Sequence, residues 1–541
     1  MSWILLIIVM LGLALIGARL FVVVGVATAM CFLLFTDVHA ATDALLQLDR
    51  IVTKMESLTT KNVFLSIPFF IASGSIMTRG GIAGRLTDLA RASVGWLPGG
   101  LAVAAVVACI VFAAISGSSP VTLVAVGSVM FPALVKSGYP KMFSVGLLTS
   151  AGSLGCMIPP AISMLIYAIS VQGSAAVDPS ELFFAGIVPA LFIAGSLAAY
   201  AVWTGLKVPG SREPFDGAKL WIALKAAGWA LTLPALVLGG IYGGVFTPTE
   251  AGAVAFAASL LVTCGIYADV PWTKVPAILV EAATLIGSLI LIVVLAFGLN
   301  DFLAEVDAPG VIRNWVQTAD LNAWQFMLLV NVVLIVLGAL MDSISATLVF
   351  APILAPVAIN HYGMDPIHFG IVFVVNMEIG YIAPPVATNL FVAAAIFRQP
   401  FIEVAKSIVP TLSIICAALV VIMYVPTISK GPLNLREGRA MYEPFPWDGK
   451  VEAAPLVEAP PTDAPPVEEA PAGRPLTMEE MMRKAKANAA GEPGAEGDPG
   501  TEGAGEGTTP PVEAAPLGRP MTMEEMMKKA KENAAKDEPA P

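Results

Sequence analysis

Two clusters of small polar residues interrupt apolar stretches that are too long for one membrane helix. Residues 92–135 contain no charged side chain, yet Ser116–Pro120 in their middle reads Ser-Gly-Ser-Ser-Pro. A second apolar stretch, 322–358, is interrupted in a similar way around Asp342. Turn-forming residues inside such a run predict a helix–turn–helix hairpin. Because irregular backbone at membrane depth is tolerated only inside protein or around a cavity, the hairpins at 97–136 and 322–358 are candidate binding elements.

Each hairpin is followed by a helix that the pattern Gly-x-x-x-Pro-Pro breaks. The broken helices are predicted at 142–170 and 366–396, and their patterns lie at Gly155–Pro160 and Gly380–Pro385. A break exposes backbone carbonyls, which together with hydroxyls suit a hard cation such as Na⁺. At the first break the candidate cation ligands are Ser116, Ser118 and Ser119 on the hairpin tip and Gly152, Gly155 and Pro159 on the broken helix. At the second break they are Gly338, Asp342 and Ser343, opposite Gly380 and Ala383.

An anionic substrate would need hydrogen-bond donors close to these ions. The positive N-terminal ends of half-helices bind carboxylates in transporters that are built from broken helices. The candidate substrate-binding residues are Ser118, Ser343, Thr388 and Asn389. Donors of this kind do not discriminate among dicarboxylates, oxo acids, sugar acids and amino-acid-like solutes.

Three carboxylates lie within or beside the apolar stretches. A carboxylate at membrane depth costs on the order of several kcal/mol unless it is paired or solvated, which favours a functional role for Asp342 on the hairpin tip. Glu378 lies in the second broken helix, where a site role competes with a hydrogen bond to backbone or to a neighbouring serine. Glu250 starts a helix, and we favour the structural interpretation that it complements the helix dipole.

The hairpins and broken helices recur at a fixed spacing. Gly155 and Gly380 are 225 residues apart, and so are Ser118 and Ser343. The spacing predicts an internal repeat with copies at 1–206 and 207–430. Because Lys and Arg favour cytoplasmic loops, an outside N-terminus places 13 of the 18 cations of residues 1–430 inside. The two hairpins then open from opposite sides, which predicts an all-α polytopic membrane protein with two inverted-topology repeats.

The composition also indicates a membrane protein. Of the 541 residues 57% are hydrophobic and 13% charged, whereas soluble domains carry about 25% charged residues. The net charge of −11 excludes a nucleic-acid-binding protein. The five cysteines lie far apart and the three histidines have no zinc-site spacing. We therefore predict no cofactor and no metal other than sodium.

Residues 431–541 differ in composition from the rest of the chain. They contain 12 Lys or Arg and 21 Asp or Glu, and their proline-rich sequence is typical of a disordered tail. Within them, 465–490 and 510–535 are identical at 21 of 26 positions, and each copy carries a Met-rich helical motif. The duplicated motif is either a linker without function or a partner-docking helix carried twice. If the N-terminus lies outside and the chain crosses the membrane an odd number of times with each hairpin returning to its own side, the inverted repeats predict that this tail also lies outside, in the periplasm.

Four motifs in order resemble the large membrane subunit (the DctM-type M subunit) of TRAP transporters, the tripartite ATP-independent periplasmic family. They lie at Ala114–Ser119, Ala151–Pro160, Gly244–Ala251 and Asn376–Pro385, and the similarity runs from about residue 3 to 428. The resemblance implies a sodium-driven importer with an elevator mechanism in the bacterial inner membrane. It also implies two partners, a small four-helix membrane subunit and a periplasmic substrate-binding protein, and an organic acid as the substrate.

The resemblance implies sodium sites at the two pairs of hairpin and broken helix. The first predicted sodium site comprises Ser116, Ser119, Gly155 and Pro159, and the second comprises Gly338, Asp342 and Gly380, to which the break itself adds Ala383. The second motif of the family often reads Ile-Thr-Pro-Pro-Val-Gly, whereas residues 382–387 of this chain read Ile-Ala-Pro-Pro-Val-Ala. Because Ala383 has no hydroxyl, only its carbonyl oxygen can be a sodium ligand.

These features predict the large permease subunit of a sodium-coupled secondary transporter, which imports a small organic anion handed over by a periplasmic binding protein. One alternative is an autonomous ion-coupled transporter without a binding protein, and another is an intramembrane enzyme. The serines of the hairpin tip have no His or Lys near them in sequence, and the chain contains no H-E-x-x-H motif and no ATP-binding P-loop. We therefore predict that the chain is not an enzyme.

Overall fold

The computed structural model describes residues 9, 12–13, 20–35, 62–172, 175–208, 212, 214–341, 343–384 and 387–447. All of them belong to one unit of the chain, Met1–Leu456. Every regular element in this part of the chain is a helix, which confirms the predicted all-α class. Asp342, Pro385 and the duplicated segments 465–490 and 510–535 lie outside the described residues.

The helices of the first repeat include both elements that the sequence predicts for its site. The bounds are α1 Leu20–Phe35, α2 Ser66–Arg79, α3 Ile82–Val94, α4 Gly100–Ser116, α5 Ser119–Lys136, α6 Lys141–Ser153, α7 Ile162–Ser170 and α8 Pro179–Gly205. The predicted hairpin corresponds to α4 and α5, and the predicted broken helix corresponds to α6 and α7, which are separated by the 3₁₀ turn Leu154–Cys156 and an irregular segment.

The second repeat has the same kinds of element in the same order. The bounds are α9 Gly217–Tyr242, α10 Pro248–Leu260, α11 Val275–Glu305, α12 Ala308–Thr318, α13 Ala323–Leu340, α14 Ser343–Pro356, α15 Pro366–Ile382, α16 Thr388–Phe397, α17 Phe401–Tyr424 and α18 Thr427–Arg436. Helices α13 and α14 form the second hairpin, and α15 and α16 are the halves of the second broken helix.

Seven of the described helices are long and apolar enough to cross a membrane, among them α8, α9, α11 and α17. Helices α4, α13, α15 and α16 are equally apolar but have at most 18 residues. A bilayer span needs roughly 20 residues, so these shorter helices suit hairpin arms and half-helices that end inside the membrane. Their free ends are therefore available to line a site.

The two repeats pack crosswise, which means that the hairpin of each repeat packs on the broken helix of the other. The second arm of the first hairpin, α5, packs on α16 of the second broken helix, and α14 packs on α7 of the first broken helix. In the same reciprocal way α17 packs on α6 and α8 packs on α15. Each hairpin is therefore held by the broken helix of the other repeat as well as by its own, and the two repeats share one core.

Acidic and hydroxyl side chains fix where several helices begin. Asp178, Asp216 and Asp365 accept hydrogen bonds from the first backbone N–H groups of α8, α9 and α15. At the start of α10 the Thr247 N–H donates to Glu250 Oε2 at 2.8 Å, and the Glu250 N–H donates to the Thr247 hydroxyl at 3.3 Å. This reciprocal capping box confirms the structural interpretation of Glu250.

The folded part of the chain extends beyond residue 430, where the sequence predicts the disordered tail to begin. Helix α18 packs on α8 and α15, and Lys430 Nζ lies 2.7 Å from Asp365 Oδ2. Trp447, the last described residue, stacks on Tyr424 with ring centroids 5.5 Å apart. Burial of Leu433 and Phe445 accounts for the difference, because these apolar side chains are removed from solvent.

Candidate functional site

The tip of the first hairpin is a tight turn pressed against the break in the first broken helix. Gly117 has a φ of 59°, and a Cβ atom built on it would lie 2.2 Å from the Pro160 carbonyl oxygen. The Ile162 N–H, at the start of α7, donates to the Gly117 carbonyl at 3.5 Å. Only glycine combines the left-handed conformation with this close approach, so the position is fixed by backbone packing.

Hydroxyl groups hold the same tip in shape. The Ser116 and Thr122 hydroxyl oxygens lie 2.8 Å apart, and the Thr122 hydroxyl donates to the Ser118 carbonyl at 2.9 Å. A Cβ on Gly155 would lie 2.6 Å from the Ser118 carbonyl oxygen and 2.9 Å from Ser119 Cα. The structure therefore brings Ser116, Ser119 and Gly155 of the first predicted sodium site together.

Pro159 is the fourth residue of the first predicted sodium site. It directly precedes Pro160, whose carbonyl oxygen faces Gly117. Thr122 is a member of the tip that sequence analysis missed. It lies one helical turn after Ser118, a spacing that places a hydroxyl over the preceding carbonyl.

The second hairpin meets the second broken helix through glycine backbone. A Cβ on Gly380 would lie 2.6 Å from the backbone carbon of Gly338, so α13 and α15 touch at these two positions. Ala383 is buried, and its N–H donates to the Ile379 carbonyl at 2.8 Å. Gly338, Gly380 and Ala383 of the second predicted sodium site thus lie on two elements in contact, whereas Asp342 is outside the described residues.

The predicted substrate residues are distributed over contacts between the repeats. The Asn389 side-chain amide, on α16, donates to the Ser119 hydroxyl on the first hairpin. The Ser343 hydroxyl, at the start of α14, lies 3.5 Å from the Ser163 hydroxyl on α7. Ser118 is half-buried and Thr388 is exposed. The predicted sodium and substrate groups are therefore not separate clusters, because Asn389 contacts a residue assigned to sodium.

Ser163 is a contact that sequence analysis missed although the repeat carries the signal. The 225-residue spacing pairs Ser163 with Thr388, one of the predicted substrate residues. The same spacing pairs Ser118 with Ser343. Applying the repeat to every predicted site position would have identified Ser163.

Glu378 is the one carboxylate in the described part of the core. It is fully buried, and the Ser153 hydroxyl lies 3.0 Å from its Oε1 atom as a donor. The Ser153 hydroxyl also lies 2.7 Å from the Ser150 carbonyl oxygen. Glu378 Oε2 accepts no hydrogen bond from any described residue. The hydrogen bond to a neighbouring serine, one of the two interpretations from the sequence, is therefore present at one of the two carboxyl oxygens of Glu378.

Further buried polar pairs connect the broken helices to their surroundings. The Asn376 amide on α15 donates to Asn331 Oδ1 on α13, and the Ser150 hydroxyl on α6 donates to Thr411 Oγ1 on α17 at 2.6 Å. All four side chains are buried. Sequence analysis selected none of them, although a polar side chain inside an apolar helix is itself a signal of a specific contact.

The polar groups of this region are of the kinds that bind small ions in other proteins. Its polar groups are hydroxyls, side-chain amides, backbone carbonyls at helix breaks and one carboxylate. No three His, Cys, Asp or Glu side chains come together within the described ranges in a way that could hold a metal ion. Neutral oxygen ligands of this kind suit an alkali cation, and the amide and hydroxyl donors suit a carboxylate.

The chain is similar to known membrane permeases. The family model of the DctM component of tripartite ATP-independent periplasmic transporters matches residues 4–428. The C4-dicarboxylate TRAP transporter large permease protein DctM of Rhodobacter capsulatus is 40% identical over 400 residues, which is 72% of this chain and 90% of the relative. Its counterpart in Pseudomonas aeruginosa is 43% identical over 368 residues, or 68% and 84% of the two chains.

A solved structure supports the fold. The crystal structure of the Alcanivorax borkumensis YdaH transporter, described as having an unusual topology, superposes with a TM-score of 0.56. It covers 78% of this chain and 99% of the other chain at 14% sequence identity, so the likeness concerns the fold alone. The resemblance found from the motifs is confirmed by the family match, and the chain belongs to the family of the DctM component, the large permease subunit, of tripartite ATP-independent periplasmic transporters.

Proposed function

We propose that this permease couples the entry of sodium ions to the import of a small organic anion, with a C4-dicarboxylate as the first candidate. The observation that carries the proposal is the crosswise junction, in which each hairpin start or tip meets a broken helix of the other repeat. Movement of such a junction exposes ion and substrate groups to one side at a time. The candidate substrate comes from the names of the two related dicarboxylate permeases of Rhodobacter capsulatus and Pseudomonas aeruginosa.

Sodium binding is supported by the groups that converge at each break. At the first site Gly155 allows the broken helix to approach the Ser118 carbonyl and Ser119 without a side chain between them. At the second site Gly338 and Gly380 allow the same close approach of two backbones. At the first site the oxygen ligands for a monovalent cation would come from backbone carbonyls and hydroxyls. At the second site they would come from backbone carbonyls and from the carboxylate of Asp342.

Substrate binding is supported by hydrogen-bond donors at the same junction. The Asn389 amide and the Ser119 hydroxyl already contact each other, so a carboxylate could replace that contact by accepting from both. Ser343 and Thr388 are the first residues of α14 and α16, where helix N-termini favour a negative charge. A dicarboxylate could use the two helix starts at its two ends.

We further propose that the anion is delivered by a periplasmic binding protein and that a small membrane subunit completes the scaffold in the bacterial inner membrane. Family membership supports both partners. The runner-up is an autonomous transporter that takes the anion directly from solution. The two proposals differ in whether the purified chain alone is sufficient for uptake.

Proteoliposome uptake tests the coupling. The chain would be reconstituted with its small subunit and binding protein, and uptake of a labelled C4-dicarboxylate would be compared under an inward sodium gradient and an equal potassium gradient. We expect uptake only with sodium. Asp342→Asn should shift the sodium dependence to higher concentration, and Glu403→Gln, at an exposed position on α17, is the matched control. Equal uptake with potassium, or an unchanged sodium response of Asp342→Asn, would contradict the proposal.

A further inference from the structure

The second arm of the second hairpin lacks one hydrogen-bond donor within its own helix. Helix α14, one of the helices apolar enough to cross a membrane, contains Pro352 four residues after Leu348. In an α-helix the Leu348 carbonyl would accept from the N–H of residue 352, and proline has no N–H. A carbonyl without a donor is costly in hydrocarbon, where no water replaces the missing partner. Because Leu348 is fully buried, its carbonyl needs a donor from another part of the protein.

Asn300 supplies this donor from a different helix. Its side-chain Nδ2 atom, on α11, donates to the Leu348 carbonyl at 2.9 Å. A carbonyl only accepts hydrogen bonds, so the contact requires that Nδ2 and not Oδ1 faces α14. The Asn300 Oδ1 atom is buried and accepts no hydrogen bond from any residue that the structure describes. The contact with Leu348 therefore orients the amide.

Asn300 differs from the part of α11 that precedes it. Residues 289–299 are all apolar or glycine, and Asn300 follows them directly. An asparagine at the end of such a run is expected to form a hydrogen bond with a neighbouring membrane helix. Helix α11 packs on α14, so this hydrogen bond adds one specific polar link to an apolar contact.

The first hairpin does not need a donor at the equivalent position. The 225-residue spacing pairs Pro352 with Gly127. Gly127 has a backbone N–H, so α5 can satisfy the Leu123 carbonyl within the helix. The interior proline of α5 is Pro132, and the carbonyl that it deprives of a donor belongs to the exposed residue Ser128. The need for a donor from a neighbouring helix at this position is thus a property of the second hairpin.

The hydrogen bond of Asn300 lies close to the start of α14, where the candidate site begins. Ser343 and Leu348 are five positions apart, or about 7.5 Å along the helix axis. The Thr347 hydroxyl, next to Leu348, donates to the Ser343 carbonyl at 2.7 Å. Ser343 is buried, and its hydroxyl lies 3.5 Å from that of Ser163 in the first repeat. A movement of α14 away from α11 would therefore displace Ser343 and break the Asn300 hydrogen bond together.

We propose that Asn300 is a positioning residue that holds the second hairpin in its closed position. The inference rests on the proposed function, in which movement of the junction exposes the ion and substrate groups. In the closed position, with Ser343 buried, the Asn300 amide satisfies the Leu348 carbonyl. When the hairpin opens, the carbonyl loses this donor, which favours return to the closed position. Asn300 acts through the backbone of α14 and without contacting the substrate.

Labelling of an introduced cysteine tests how often the hairpin opens. Ile344→Cys places a thiol at a buried position in the first turn of α14. Its rate of modification by a small maleimide would be measured on the purified full-length chain without sodium or substrate, relative to the chain without this cysteine. We expect Asn300→Leu to raise the rate at least about fivefold, because the closed position then no longer offers the Leu348 carbonyl a donor. Asn314→Leu, at an exposed position on α12, is the matched control and should leave the rate unchanged.

Pro352→Ala provides the second arm of the test. This variant restores the N–H of residue 352, so the Leu348 carbonyl regains a donor within α14. In the Pro352→Ala background, Asn300→Leu should therefore change the labelling rate by no more than about twofold. Pro410→Ala, which removes an exposed proline inside α17, should give no such rescue. If Asn300→Leu alone does not fold, the double variant Asn300→Leu/Pro352→Ala should still yield folded protein that labels slowly.

Uptake separates a positioning role from general damage to the site. Asn300→Leu should lower kcat for a C4-dicarboxylate at least about fivefold without raising KM, because the hairpin closes less often around an unchanged site. An unchanged labelling rate, a raised KM at unchanged kcat, or an effect of Asn300→Leu that persists in the Pro352→Ala background would each overturn the proposal. The labelling assay contains neither sodium nor substrate, so a failure of sodium coupling would contradict the proposed function and leave the result for Asn300 intact.

Discussion

Ser153 and Glu378 occupy equivalent positions of the two repeats and contact each other. The Ser153 hydroxyl lies 3.0 Å from Glu378 Oε1, and the two residues are separated by 225 positions, the spacing that also relates Gly155 to Gly380. The contact therefore joins two symmetry-related sites, at which one repeat carries a hydroxyl and the other a carboxyl group.

The first prediction concerns the proton in this pair. The Ser153 hydroxyl has one proton but lies within hydrogen-bond distance of both the Ser150 carbonyl and Glu378. If it donates to Ser150, the hydrogen bond to Glu378 needs a donor on the glutamate. We therefore expect Glu378→Gln to retain stability, because its amide can donate to Ser153. Glu378→Ala should lower the free energy of unfolding by about 2–5 kcal/mol, as for a buried side chain truncated in a packed core.

Thermal unfolding of the purified variants measures both effects. Glu281→Gln, at an exposed position on α11, is the control for loss of a carboxylate. A Glu378→Gln variant that unfolds as early as Glu378→Ala would show that the negative charge itself is required.

The second prediction concerns the contact between Asn389 and Ser119, which crosses from one repeat to the other. If both side chains bind the substrate, Asn389→Ala and Ser119→Ala should each raise the KM for a C4-dicarboxylate about tenfold, or roughly 1.4 kcal/mol. The rise in KM of the double variant, expressed as a free energy, should be smaller than the sum of the rises of the two single variants. The reason is that each single variant already removes the shared contact. Strictly additive effects on KM would argue against a common site.

The third prediction uses glycines that differ in their surroundings. Gly117→Ala places a Cβ 2.2 Å from the Pro160 carbonyl oxygen at a left-handed φ, and Gly155→Ala places one 2.6 Å from the Ser118 carbonyl oxygen. Both should reduce uptake at least about tenfold, since misplaced groups of this size can cost about a hundredfold. Gly195→Ala on α8 is the matched control, because its added methyl group would have no heavy atom of another element within 4 Å. Uptake by Gly155→Ala at the level of Gly195→Ala would contradict the proposal that the tip of the first hairpin belongs to the transport site.

The sequence predicts the hairpins and breaks because they depend on local chemistry. Ser116–Pro120 interrupts an apolar run, and the structure places the turn between α4 and α5 at these residues. The contact of Asn389 with Ser119 depends on how the repeats cross, which no local pattern encodes. The burial of Leu433 and Phe445 likewise depends on contacts with the core, and composition alone misses it.

The fourth prediction concerns pH. Hydrogen bonds from the Arg85 guanidinium, and one from the Gly81 N–H, lower the pKa of Asp269 below its usual value. A carboxyl group with a lowered pKa stabilises the fold above the pKa of the unfolded state, about 3.9. That stabilisation is lost as the pH falls through the lower pKa of the folded state. Because the pair is only partly buried, the effect should not exceed about 1 kcal/mol.

Melting temperatures between pH 7 and pH 3 measure this effect. The wild type should lose slightly more stability over this range than Asp269→Asn, which cannot titrate at this position. Parallel curves for the two proteins would show that the ion pair does not contribute.

The last prediction is that the chain alone transports little. A hairpin that carries a desolvated anion needs neighbours that stay fixed while it moves, and α9 and α11 leave large apolar side chains exposed, including Trp229, Leu236 and Leu285. Part of the fixed scaffold is therefore expected to come from the small membrane subunit. Docking of a binding protein would then favour one side of the transport cycle through its different affinity for the two states. Adding the small subunit and the binding protein in turn to the reconstituted chain should restore sodium-driven uptake only when both are present. Saturable uptake by the purified chain without either partner would instead establish an autonomous transporter.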